Sequence, residues 1–429
     1  MSAPTATIEK SEPEKAMVEH EGEFYDRQEI RDPALRDDQL FTALPGLVRH
    51  AIDNAPGMAE LLAGVEATAV TTPEALAALP ILRRSHLIER QAVIPPFGDF
   101  VATPLGRLAR VFASSAPVVE PESVRTDYWR FARALFAAGL RAGHLVHNAF
   151  PYHLSPAGMM VEGGARAIGC PVVPAGDGHF DRQIEVMRRL QPRALTGRPS
   201  TVVSLLEAAG DDPTPTAGLR MALGSGEPFA PDERRLLQER YGIVGFDVYA
   251  TADTGLIAYE SEAHDGLVVD EAVIVEIVDV VTGRPVPEGE VGEVVVTSFN
   301  PDYPLIRLAT GDLSAFAPGP SACGRTNRRL CGLLGRIDRA AAVGGRLVHD
   351  YQIDGLVERH RLQRGRLVVD RVQAADRLRL LVEVGEASDD LSHLLSADVE
   401  ALTGIAGKVE LVAPGSLPND GKVIDDRRA

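Results

Sequence analysis

Apolar residues recur at three- and four-residue spacing in Leu44-Pro45-Gly46-Leu47-Val48-Arg49-His50-Ala51-Ile52, and this pattern predicts helices across residues 37–89. From 106 to 248 the pattern changes to short β-branched runs alternating with amphipathic stretches. Residues 145–150 read as a strand, 158–168 as a helix and 171–174 as a short apolar strand, an alternation that predicts an α/β domain with a largely parallel sheet. Apolar runs at 273–278 and 292–297 flank the turn-rich 282–290 and predict a two-strand connection. A boundary follows near 335–345. Beyond it the order is helix (350–360), strand (366–372), strand (378–384), helix (389–402) and strand (408–412), which fits a small α+β domain with helices on an antiparallel sheet. There is no internal repeat.

The chain has 429 residues, too many for one ordinary core, so two or three domains are expected. Apolar residues make up 45% and charged residues 24%, which fits a globular protein, and no long uncharged apolar run suggests a membrane span. Residues 1–22 are rich in Glu, Ser, Pro and Thr, lack the apolar core of a signal peptide and read as a loose tail, so a cytoplasmic protein is expected. The net charge of -17 is spread along the chain and opposes non-specific nucleic-acid binding. Cys170, Cys323 and Cys331 form neither a disulfide framework nor a paired zinc motif and read as reduced thiols.

Four constellations carry candidate chemistry. Tyr249-Ala250-Thr251-Ala252-Asp253-Thr254-Gly255 follows a predicted strand and puts hydroxyls and a carboxylate in one turn. Such a turn can hold phosphate and Mg²⁺, although a Thr/Asp turn is more often ordinary turn chemistry. Thr310-Gly311-Asp312-Leu313, preceded by Arg307, ends an apolar run where a carboxylate can take both ribose hydroxyls or simply cap a turn. Gly335-Arg336-Ile337-Asp338 lies at the expected boundary and reads as a linker or a hinge. The fourth is Lys422, in Ser416-Leu417-Pro418-Asn419-Asp420-Gly421-Lys422. No lysine occurs between Lys15 and Lys408. A lysine ammonium is a mobile point charge suited to joining two anions.

In this order the four constellations resemble the adenylate-forming enzymes, and in particular the phenylacetate-CoA ligase family. Supporting stretches are Asn148-Ala149-Phe150-Pro151-Tyr152, Val173-Pro174-Ala175-Gly176, Gly226-Glu227-Pro228, the 282–293 segment and Cys323-Gly324-Arg325-Thr326. The resemblance implies a multi-sheet α/β adenylate-forming domain over residues 23–335 and a mobile α+β lid domain over 336–429. It also implies an ATP-dependent ligase: a carboxylate attacks the α-phosphate of ATP to give an acyl-adenylate and pyrophosphate, then the thiol of coenzyme A displaces AMP. Lys422 would bridge the carboxylate and α-phosphate, while Asp312 would bind the ribose hydroxyls and Arg336 would reach the ribose or phosphate side. Gly226, Glu227 and Pro228 would lie along adenine, with Tyr249 stacked near it. Thr251 and Asp253 would face phosphate and Mg²⁺, Asp338 would be the pivot, and Phe150 and Tyr152 would line a pocket for a small aryl or other compact carboxylic acid. A homodimer would be usual for such relatives.

Where relatives carry a Ser/Thr/Gly-rich phosphate loop with a lysine, this chain has Phe112-Ala113-Ser114-Ser115-Ala116-Pro117-Val118-Val119-Glu120-Pro121. Pro117 offers no amide donor, and Glu120 would repel a triphosphate if it pointed inward. The Arg-Gly pair that follows the hinge in relatives reads Gly344-Gly345 here. These departures leave two other readings open: a relative that binds nucleotide, acyl group or partner without catalysis, and an adenylating enzyme whose acceptor is a carrier-protein thiol or an amine.

Overall fold

The computed structural model describes residues 23–113, 118–343, 346–372, 375–385, 388–418 and 422–428. The 1–22 tail, Ser114–Pro117 of the expected phosphate loop, Gly344-Gly345 and Gly421 lie outside the described residues. The chain divides into two compact units: residues up to Arg31 with Val124–Glu262, and Asp32–Ser123 with Ala263–Ala429.

The first unit is built as the alternating pattern predicts. Strands Val172–Pro174, Val146–Asn148, Ala194–Gly197, Met221–Ser225 and Val244–Thr251 pair in that spatial order, each pair parallel. Helices Ala157–Ile168, Phe180–Leu190, Pro199–Ala208 and Pro231–Tyr241 supply the crossovers that parallel strands need. Local sequence sets their ends. Proline occupies the first turn of the helices at Pro199 and Pro231, where the missing N–H costs nothing, and Gly169 closes Ala157–Ile168 in the left-handed conformation (φ 90°). Leu195, Val202, Leu205, Ala222, Leu237 and Ile243 form the core between sheet and helices.

In the second unit, helices Pro33–Asn54, Pro56–Leu61, Pro73–Ala77 and Arg84–Val93 bury Leu44, Val48, Met58, Leu76 and Leu87 against Tyr303, Leu305, Ile306 and Leu308. The predicted two-strand connection is present: Val273–Val278 pairs antiparallel with Gly292–Ser298, which pairs in turn with Leu308–Ser314. The segment expected to be a loop before Pro121 is largely a hairpin, Leu108–Ala113 against Val119–Ser123.

Residues 341–424 contain a core of their own, in which Val343, Ile353, Leu367, Leu380, Leu395 and Val399 pack together. Helices Asp350–Arg359 and Asp389–Thr403 lie close to their expected bounds. The antiparallel sheet expected here is instead mixed, in the order Gly407–Val412, Ala375–Glu383, Arg364–Val372, Ile424–Asp426. Only the central hairpin is antiparallel, and both outer strands are parallel to their neighbours. Helix Asp389–Thr403 accounts for one of these pairings, because a strand reached through a crossover helix arrives parallel. Among the described residues no helix is long and apolar enough to cross a membrane.

Candidate active site

The five parallel strands of the first unit present their carboxyl ends along one edge, and the predicted residues of that unit follow those ends directly. Phe150 and Tyr152 follow Val146–Asn148, Gly226-Glu227-Pro228 follow Met221–Ser225, and the Thr251–Asp253 turn ends Val244–Thr251. The strand order reverses between Val146–Asn148 and Ala194–Gly197. Ligands of open α/β sheets bind in the crevice outside such a switch point.

Asn148 organises the crevice. It is fully buried; its Oδ1 accepts from the Phe150 amide at 3.2 Å and the Thr196 hydroxyl at 2.9 Å, and its Nδ2 donates to the Tyr152 hydroxyl at 2.8 Å and the Gly158 carbonyl at 2.9 Å. The Tyr152 hydroxyl donates to Glu162 at 3.2 Å, and its ring lies against Gly158, where any Cβ would stand 2.9 Å from ring carbons. Burial, reinforced by the Glu162 carboxylate, pushes the Tyr152 phenol above its ordinary range, so it stays protonated. Gly226 takes φ 90°, and the Glu227 carboxylate accepts from the Ser200 amide (2.9 Å) and hydroxyl (2.5 Å) at the start of helix Pro199–Ala208. That contact satisfies a helix N-terminus and fixes the backbone of the 226–228 turn.

Tyr249 is buried in strand Val244–Thr251, which turns back through Asp253 and Thr254 into Gly255–Glu260. The Thr251 and Thr254 hydroxyls are 2.8 Å apart, the Thr254 amide donates to Thr251 Oγ1 at 3.2 Å, and the Asp253 carboxylate is buried beside them. Trp129 and Arg130 brace this turn: the Leu256 amide donates to the Trp129 carbonyl, and Arg130 Nη2 donates to the Thr254 and Leu256 carbonyls at 2.8 and 2.9 Å. Gly255 holds φ 74°, and a Cβ there would stand 2.9 Å from the Trp129 carbonyl oxygen. Gly255→Ala is therefore expected to lower stability by at least about 1–2 kcal/mol, the cost of a left-handed L-residue. The midpoint of urea denaturation measures it, and a midpoint equal to wild type would contradict the bracing of the turn.

In the second unit Asp312 and Arg336 stand opposite each other on paired strands, with Arg336 Nη1 donating to Asp312 Oδ1 at 2.7 Å. The Thr310 hydroxyl steadies the bend by accepting from the Asp312 amide while donating to the Val294 carbonyl. Arg307 belongs to the interior instead: it is 1% exposed and donates to Glu276 and to the carbonyls of Ala77, Leu79 and Gly283. Glu120 is fully buried, with Arg84 3.8 Å away. Lys422 is exposed, immediately before the last strand. The Asp338 backbone forms a 3-10 turn, Ile337–Arg339, and its side chain lies outside the described residues. The cysteines are free thiols; burial raises that of Cys170 to about 11.

A cavity of about 250 Å³ lies within the second unit, lined by Leu40, Phe41, Leu76, Val273 and Val275 with Arg36 and Arg328, and none of the predicted site residues line it. Sequence reasoning passed over Trp129, Arg130, Glu162 and Thr196. A single signal was available: Trp129 is the only tryptophan in the chain.

Residues 136–300 match the family model described as AMP-binding enzyme. A phenylacetate-coenzyme A ligase of Thermus thermophilus is 30% identical, the alignment covering 94% of this chain and 96% of that protein. A phenylacetate-coenzyme A ligase of Pseudomonas putida is 31% identical, with 92% and 95% covered. The chain belongs to the phenylacetate-CoA ligase family. Its fold is that of adenylate-forming CoA ligases: an open conformation of 2-hydroxyisobutyryl-CoA ligase with 2-HIB-AMP and CoA superposes with a TM-score of 0.82 at 26% identity, covering 98% of both chains. In this phenylacetate-CoA ligase family member, Phe150, Tyr152, Gly226, Glu227, Pro228, Thr251 and Asp253 gather at the sheet edge of the first unit, and the Asp312–Arg336 pair lies in the second.

Proposed function

We propose that this chain is an ATP-dependent carboxylate–CoA ligase, forming an acyl-adenylate and then an acyl-CoA thioester. It is an AMP-forming acid–thiol ligase whose substrates are a small carboxylic acid, ATP and coenzyme A. The observation that carries the reading is the alignment of the acyl, adenine and phosphate segments along the carboxyl edge of one parallel sheet, around its switch point.

In this reading Tyr152 and Phe150 bound the acid, and a compact aryl acid suits a segment carrying two aromatic rings. The 226–228 turn lies along adenine with Tyr249 near it. Asp312 takes the ribose hydroxyls, with Arg336 on the ribose or phosphate side. Thr251 and Asp253 face the phosphates. Asp253 offers one carboxylate with neighbouring hydroxyls, which fits a magnesium ion completed by phosphate oxygens and water; when bound, that ion neutralises phosphate charge. Lys422 brings positive charge to the carboxylate and α-phosphate, where two anions must meet. Residues 336–429, with their own core, form the lid, and Asp338 is its pivot between the half-reactions. Placement in the cytoplasm as a homodimer completes the reading.

The test is exchange of labelled pyrophosphate into ATP over a panel of aryl and other compact acids, followed by AMP release on adding coenzyme A. Acid-dependent exchange and coenzyme A-dependent AMP release are expected. Exchange with no acid in the panel would sink the ligase reading, and exchange without any use of coenzyme A would move the acceptor to a carrier-protein thiol or an amine.

A further inference from the structure

Leu417 and Pro418, which precede Lys422 by five and four residues, are held by charged side chains that the proposed adenylation chemistry does not use. In the hairpin of Arg364–Val372 and Ala375–Glu383, Leu367 and Val369 enter the core with Leu378, Leu380 and Val382. Side chains alternate along a strand, so Arg364 and Arg366 share the other face. Glu383 sits directly opposite Arg364 in the register and belongs to that face as well. The Glu383 carboxylate accepts the Leu417 amide at 2.7 Å. The next carbonyl, that of Pro418, accepts from Arg364 Nη2 and Arg366 Nη2, each at 3.0 Å. Arg366 and Glu383 are each 3% exposed, so the Glu383–Leu417 and Arg366–Pro418 contacts are sheltered from water, a setting in which charge-assisted hydrogen bonds are strongest, whereas the Arg364–Pro418 contact is exposed. The Leu417 amide, with the Gly415 amide and the Arg364 charge, holds the Glu383 carboxyl below its ordinary range.

The same strand fixes the other side of Lys422. The Leu367 amide donates to the Val423 carbonyl at 2.9 Å, and Leu367–Val369 pairs in parallel with Ile424–Asp426. Strand Arg364–Val372 thus sets the position of Pro418 through two side chains and of Val423 through its backbone. Pro418 and Val423, the described residues on either side of Lys422, are both tied to one strand.

We propose that Arg364, Arg366 and Glu383 are positioning residues that fix the approach of Lys422 to the reacting carboxylate and α-phosphate; the inference rests on the adenylation role proposed for Lys422. In its proposed role Lys422 meets the carboxylate and α-phosphate, which come together in the first half-reaction, so the clamp should matter there and not in thioester formation. A merely structural role would weaken both.

The test measures each half-reaction separately in the full-length protein: pyrophosphate exchange, and thioester formation from a supplied acyl-adenylate and coenzyme A. Arg364→Ala and Arg366→Ala are expected to slow exchange by about 10- to 100-fold, the scale of a reacting group displaced by about an ångström, with thioester formation within about threefold of wild type. Arg366→Lys, which can still donate to one carbonyl, should recover part of the loss. Arg364 is only half-buried, so Arg364→Ala decides the matter if Arg366→Ala does not fold. Equal loss in both half-reactions, or exchange at the wild-type rate, would overturn the proposal. Lys422→Ala is run beside them. Wild-type exchange in that variant would overturn the role of Lys422 and the clamp with it, whereas a wild-type protein inactive in both half-reactions would overturn the ligase reading itself.

Discussion

Lys422→Ala is expected to reduce pyrophosphate exchange by about 10²- to 10³-fold, the usual cost of removing one preorganised charge donor from a transition state. The carboxylate and the α-phosphate are both anionic, and their approach is opposed by Coulomb repulsion that a nearby ammonium offsets. No other described lysine can substitute. Lys408, the nearest in sequence, lies on strand Gly407–Val412 with its ammonium 3.1 Å from Glu410. The Lys422 side chain is exposed, so its removal should leave the denaturation midpoint unchanged. Exchange within about threefold of wild type would remove Lys422 from the first step, since the loss of a charge that acts in the transition state is far larger.

Arg307→Ala should be the most destabilising single change, at about 3–5 kcal/mol, the penalty for breaking a buried ion pair from one side. Its guanidinium meets Glu276 in a fork at 2.9 and 3.0 Å and reaches three carbonyls with its remaining donors. Removing it strands an anion and those carbonyls in the interior. Burial already pushes the Glu276 carboxyl above its ordinary range, with Arg307 pulling the other way. Arg307→Lys should recover only a fraction, because an ammonium cannot reproduce the planar fork. Chemical denaturation measures the difference, and a loss below about 1 kcal/mol would show that the network contributes little beyond an ordinary surface pair.

Much of the architecture was visible along the chain, for a physical reason. Strands buried on both faces read as continuous apolar runs, and the helices between them as amphipathic segments, so the first unit declared itself as parallel α/β. The terminal strand Ile424–Asp426 did not. Its sequence, Ile-Asp-Asp, has neither alternation nor bulk, and its place depends on backbone pairing with a strand far earlier in the chain.

The site was legible unevenly. Asp312, Thr251 and Asp253 could be flagged by residue type and position after a strand, and most other assignments came through family resemblance. Asn148 lies in the Asn148–Tyr152 segment that carries the resemblance, yet two of its four side-chain hydrogen bonds go to Thr196 and Gly158, which periodicity cannot bring to it. Arg307 shows the opposite case. It stands beside a candidate nucleotide aspartate in sequence, but it takes φ 53° and its side chain is committed to Glu276. Which way such a residue faces is settled by its local backbone conformation and by the buried carboxylate and carbonyls that meet it.

If Asp312 takes the ribose as proposed, its pairing with Arg336 would bear on turnover as well as on binding. In the proposed role, the ribose hydroxyls arrive at a carboxylate that already has a cationic partner 2.7 Å away. Nucleotide capture then becomes an exchange or sharing of partners rather than the filling of an unsatisfied anion, and the net gain per hydrogen bond is small. A grip discounted in this way would let go easily: in the proposed role AMP would leave behind a carboxylate that has its counter-charge waiting, so nucleotide release need not become a bottleneck.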